Sequence, residues 1–115
     1  MKKVAFKDLK KFGVPPKHFN VNSVRVQGPA ESGLQSFWMG VSYYLPGGGI
    51  EWSGEDSLEE KVYMVLDGEL TVKGEKEELV LGPMDTLYIG PKEGRSVVNN
   101  GSKPATLVVV ANILK

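Results

Sequence analysis

Apolar and polar residues alternate along most of this chain in short runs, and glycine, proline and asparagine cut the runs apart. Val21-Asn22-Ser23-Val24-Arg25-Val26 is rich in β-formers, alternates in its second half and stops at Gly28-Pro29. Residues 35–45 form a longer run closed by Pro46-Gly47-Gly48-Gly49. Another spans 61–72, and Lys73-Gly74-Glu75-Lys76 after it predicts a polar hairpin turn. Residues 79–81, 86–89, 95–98 and 106–113 complete the set. Asn99-Asn100-Gly101 reads as a tight hairpin between the last two, because Asn-Gly readily takes positive φ. Eight or so short strands with turns at this spacing argue for an all-β sandwich or barrel.

Residues 1–20 break the pattern. They hold six lysines against one aspartate. Phe6, Leu9 and Phe12 have a weak helical spacing that Gly13 and Pro15-Pro16 stop. The expected division is therefore an N-terminal arm or short helix over 1–20 and a β domain over 21–115.

At 115 residues the chain is one domain, large enough for a single core without covalent staples. Fourteen Lys and Arg balance fourteen Asp and Glu, so no global field favours nucleic acid or an acidic membrane. The arm is basic but lacks arginine and any nucleic-acid motif, which reads as solvated surface. No apolar run reaches the length of a signal peptide or a membrane span. Cysteine is absent, which excludes disulfides, thiolate nucleophiles and thiolate metal sites, and suits a cytoplasmic protein. The single histidine, His18, reads as a partly exposed loop residue. One imidazole cannot build a multi-histidine metal centre, so an oxygen-only magnesium or calcium site is the metal chemistry left open.

Two blocks resemble the signature motifs of the cupin superfamily. Leu66-Asp67-Gly68-Glu69-Leu70 resembles the end of the first motif, and seven residues before Gly68 stands Lys61 at the motif's glutamate position. Counting from Gly47 places Ser53 and Glu55 at the two histidine positions; from Gly48 the residues are Gly54 and Asp56, and from Gly49 they are Glu55 and Ser57. No register supplies a histidine. In the second block, Asp85 to Asn99, Arg95 takes the histidine position and Asn99 is kept. The resemblance spans about residues 35–112. It implies a double-stranded β-helix, or jelly-roll β-barrel, with a pocket at one mouth. Because all four ligand positions are altered, it does not carry over the metal-dependent activities of the family, and no cofactor is implied.

Strand alternation puts Lys61, Tyr63 and Val65 on one face and Val62, Met64 and Leu66 on the other. Both sets are apolar enough to be covered, so the inward face stays open. Ser53 and Glu55 share a face, and Arg95 begins a strand. Ser53, Glu55, Lys61, Tyr63 and Arg95 can thus converge in one pocket. Trp52 beside them either walls that pocket or packs in the core or at a dimer interface. Buried cations need a compensating anion. It is either internal, from Glu51, Glu55 or Glu59, or external, from a ligand carboxylate, enolate or phosphate, for which arginine's planar fork is suited.

The expected function is metal-free binding of a small, anionic organic molecule by Arg95 and Lys61, with Glu55, Ser53, Tyr63 and Trp52 around it. The rival is a metal-free isomerase, cyclase or lyase. In that reading a desolvated Lys61 acts as base or nucleophile, and Glu55 or Tyr63 moves the other proton. A non-catalytic scaffold is the third reading. The resemblance and the need to cover sheet edges imply a homodimer, with neither nucleic acid nor membrane as partner.

Overall fold

Valine, isoleucine and tyrosine at alternate positions suit a pleated surface buried on one side, and the chain forms eight strands from them. The computed structural model describes residues 1–10 and 13–115. The strands are β1 (His18–Gln27), β2 (Phe37–Ser53), β3 (Lys61–Asp67), β4 (Leu70–Lys73), β5 (Glu78–Leu81), β6 (Thr86–Ile89), β7 (Arg95–Val98) and β8 (Ala105–Asn112). Among the described residues of the expected arm or short helix, a 3-10 turn forms at Phe6–Asp8, and Phe12 lies outside the described residues. One helical turn, α1 (Pro29–Ser32), follows β1. No helix among the described residues is long and apolar enough to cross a membrane.

The strand order is β5-β4-β7-β2-β8-β3-β6, with β1 on the free side of β2. The first half of β2 pairs with β8 and with most of β1, and its second half pairs with β7 and with His18-Phe19. β2 therefore passes from one sheet to the other. Five strands (β1, β2, β8, β3, β6) face four (β2, β7, β4, β5), the arrangement of a jelly-roll barrel. Val21, Tyr44, Ile50, Tyr63, Val65, Leu70, Val97 and Leu107 pack between them as the core.

Four features differ from the sequence reading. Pro46-Gly47-Gly48-Gly49 does not close a strand: β2 continues through it. Gly47 takes φ +80°, and a Cβ on Gly48 or Gly49 would run into the backbone of Asn20 or Val97. The run over 61–72 is two strands, because Gly68 at φ +78° turns the chain between β3 and β4. Asn99-Asn100-Gly101 is not a hairpin, since β7 and β8 pair with different stretches of β2 and not with each other. Instead the buried Asn99 side chain donates to the Tyr44 carbonyl (3.1 Å) and the Lys103 carbonyl (2.8 Å), and its backbone exchanges bonds with Gly47 and Gly48. The fourth is β1, which begins at His18, three residues before the alternating run. The hairpin at Lys73 forms as expected, with Gly74 N–H donating to the Glu77 carbonyl.

Candidate functional site

The register of β3 resolves the facing left open by alternation. Lys61 and Tyr63 stand opposite Ala111 and Val109 of β8, on the interior side, while Val62 and Leu66 point outward. On that interior side a cavity of about 380 Å³ opens at one mouth of the barrel. Lys61, Tyr63 and Arg95 line it, as the sequence predicts. His18, Ser42, Tyr44, Trp38 and Glu59 line it as well.

Arg95 is the central group. It begins β7 on the inner face and is only 9% exposed. Its Nε and Nη2 donate to the Tyr63 hydroxyl at 3.1 and 2.9 Å, and its Nη1 donates to the Ser53 carbonyl (3.1 Å) and Oγ (3.3 Å). All these acceptors are neutral. Among the described residues no carboxylate lies within ion-pair distance of this guanidinium. Ser53 thus holds Arg95 in place at the pocket's edge.

Lys61 has the internal partner that Arg95 lacks. Its Nζ lies 3.6 Å from Glu59 Oε1. Glu59 also accepts from Trp38 Nε1 at 3.4 Å and from Ser57 Oγ at 3.3 Å. Burial pushes the Lys61 ammonium below its usual range, the Arg95 charge pushes the same way, and Glu59 opposes both. Of the three acids weighed as internal counter-ions, Glu59 is the one placed to act.

Glu55 and Trp52 are not brought to the cavity. Gly54 at φ +93° swings the chain outward after Ser53, and Glu55 ends exposed, accepting from Trp52 Nε1 at 2.8 Å. The register with β7 slips between Ile50 and Ser53, so Trp52 loses the inward parity of Tyr44 and Ile50 and lies against Gly94, whose missing side chain gives the indole room. They form a separate surface pair.

His18 is the lining residue that sequence reasoning placed in a loop. It is half-buried at the start of β1, and its Nδ1 lies 2.9 Å from the Pro16 carbonyl. In the neutral ring this makes Nδ1 the donor and leaves Nε2 as acceptor. Burial lowers its pKa, the Pro16 bond opposes that, and nearby Arg95 adds to the lowering. The Tyr44 hydroxyl is pushed well up by burial, with Tyr63 adding to the rise. Among the described residues the mouth therefore combines three cations, Arg25, Lys61 and Arg95, with one carboxylate, a neutral imidazole and phenols in one partly desolvated space.

The donor set does not fit a metal ion. Among the described residues no cluster of three His, Asp or Glu side chains could hold one. The buried Arg95 charge also repels a cation where a ligand histidine would stand.

Residues 40–111 match the family model described as the cupin domain. The beta-D-galactosidase Rv1717 of Mycobacterium tuberculosis is 41% identical over 96 residues, which cover 84% of this chain and 81% of that protein. Among solved structures, the polyketide cyclase RemF of Streptomyces resistomycificus superposes with TM-score 0.83 at 19% identity, over 97% of this chain and 79% of its own. A predicted oxalate decarboxylase of Thermotoga maritima gives 0.81 at 14% identity, over 98% and 100%. A cupin-superfamily sugar phosphate isomerase of Silicibacter pomeroyi gives 0.78 at 19%, over 98% and 76%. At such identities these three structures establish the shared fold alone.

Proposed function

This chain belongs to the cupin family, and from that premise we propose that it binds a small, anionic organic molecule in the barrel mouth without a metal. Arg95 anchors the anion, Lys61 assists, Tyr63 and Ser53 hold the guanidinium in position, and His18 and Glu59 meet the rest of the ligand. One observation carries this reading: a 9%-exposed guanidinium borders an open cavity and, among the described residues, is bonded to neutral acceptors alone. A buried charge left in that condition is costly, and an incoming carboxylate removes the cost. Calorimetric titration with a panel of small organic acids tests it. Binding should be lost at least tenfold in Arg95→Ala and only partly restored in Arg95→Lys, which keeps charge but not the fork. No heat with any acid, or full binding by Arg95→Ala, would overturn it.

A second reading, proton transfer on the bound anion, is supported by the names of the similar proteins, which include a cyclase, an isomerase and a galactosidase. His18, Lys61 and Tyr63 are the groups available for it, and Glu55 is too distant from the cavity to share in it. Glycosidic hydrolysis by two flanking carboxylates finds one among the described lining residues, Glu59. The same proposal makes the protein a cytoplasmic homodimer. Its support is the outer face of the five-stranded sheet, where Tyr43, Leu45, Val62, Leu66 and Tyr88 stand exposed.

A further inference from the structure

We infer that the ligand of this cavity is a sugar acid of monosaccharide size, a polyhydroxylated carboxylate carrying one negative charge. The inference rests on the anion-binding reading and adds to it the charge and the chemistry of the rest of the molecule.

Charge comes first. Among the described residues four charged side chains line the cavity: Arg25, Glu59, Lys61 and Arg95. Arg25 Nε is bonded to Glu31 Oε1 at 2.9 Å, and Lys61 is paired with Glu59. Those pairs cancel, and His18 is neutral at neutral pH. One positive charge, that of Arg95, remains to be balanced. A carboxylate balances it; a phosphate monoester, with close to two charges, leaves negative charge in a partly desolvated space. The donors agree with the charge. Nη2 of Arg95 makes one bond and carries a second N–H, and Lys61 keeps ammonium hydrogens beyond the one directed to Glu59.

Polar satisfaction then selects the remainder. Away from Arg95 the wall carries the Ser23–Ser42 hydroxyl pair (2.8 Å apart), the Glu59 carboxylate and the His18 imidazole. An aliphatic or aromatic acid would cover His18 Nε2 and the spare lone pairs of Glu59 and of the serine pair, cutting that remaining bonding capacity off from water at a cost. A polyol offers each a hydroxyl. Trp38 supplies the other feature a sugar uses. Its ring lies over Gly40, where a Cβ would come within 3.3 Å of it, and its Nε1 is tied to Glu59. The indole is therefore a fixed apolar platform beside the polar groups, suited to the C–H face of a pyranose. The cavity, about 380 Å³, is in the range of small-molecule sites.

The test ranks affinities of the full-length protein by calorimetry at pH 7.5. The probes are D-galacturonate, D-glucuronate, D-gluconate, D-galactose, cyclohexanecarboxylate and D-galactose 1-phosphate. At least one sugar acid should bind tenfold or more tightly than the neutral sugar, the hydroxyl-free acid and the phosphate ester. Glu59→Gln removes the charge that cancels Lys61, so it should shift preference about tenfold toward the phosphate ester. Cyclohexanecarboxylate binding as tightly as every sugar acid would overturn the inference and leave the anion-binding reading standing. The phosphate ester binding best to the unaltered protein would do the same. Failure of every anion to bind would overturn both.

Discussion

On β3, Tyr63 and Val65 point into the barrel and are 2% and 0% exposed, while their neighbours Val62 and Leu66 point away and are 42% and 44% exposed. The same contrast runs across the sheet: Leu107 and Ala111 of β8 are sealed inside, and Tyr43, Leu45 and Tyr88 stand on the outside. Hydropathy does not separate the two faces. Burial of polar side chains does: Ser42, Tyr63 and Arg95 are buried on the inner face, whereas Tyr43 and Tyr88 stand exposed on the outer one. Apolar content alone tells where a sheet can be covered; the polar minority tells which cover is the protein itself and which is a ligand.

Cutting into the inner face should have the largest effect. Leu107→Ala should lower stability by about 2–5 kcal/mol in urea unfolding, the usual cost of emptying a sealed core site. Val62→Ser, assayed at low protein concentration, should change it by about 0.5 kcal/mol or less, as exposed positions do. Equal losses at the two sites would abolish the distinction. Next comes the polar layer of the inner face. Tyr63→Phe removes the acceptor of two Arg95 donors, and unfolding experiments should register a loss of about 1–3 kcal/mol. An unchanged midpoint would mean the guanidinium does not depend on that hydroxyl.

The outer face is probed by assembly instead. Val62→Lys combined with Leu66→Lys should leave the circular dichroism of the barrel intact and convert a dimer to a monomer in sedimentation velocity. A dimer that survives both lysines uses some other surface. The smallest effect is the pH response of His18. The unfolded chain takes up this proton near 6.5, while the folded protein does so at lower pH because burial and Arg95 resist the charge. Acidification through that window therefore favours unfolding, and stability should fall as pH drops. His18→Gln should flatten that slope. As the single histidine, its imidazole proton can be followed alone by NMR, and a midpoint at or above 6.5 would contradict the structure.

The barrel was legible because short alternating runs and turn residues mark strands whatever their partners. Lys61, Tyr63 and Arg95 were legible too, since motif spacing puts them on strands that converge. Three things were hidden. Gly54 takes a positive φ that reverses the expected facing of Glu55, and glycine does not announce its dihedral in advance. His18 was masked by the β-bulge at Asn20, where φ is +51° and the register with β2 slips, so alternation read backward from Val21 loses its phase. The run of glycines after Pro46 looks like a stop, yet it marks a place where strands approach too closely for side chains.

β2 supplies edge partners to both halves of the barrel, and Ser53 at its far end holds Arg95. Opening the barrel at β2 breaks ladders in both halves at once, whereas β5 and β6 at the sheet ends each pair with a single neighbour. An incoming molecule meets a rigid vestibule whose outline is already set. Discrimination among ligands then resides in the side chains that furnish it, with little backbone motion to forgive a poor fit.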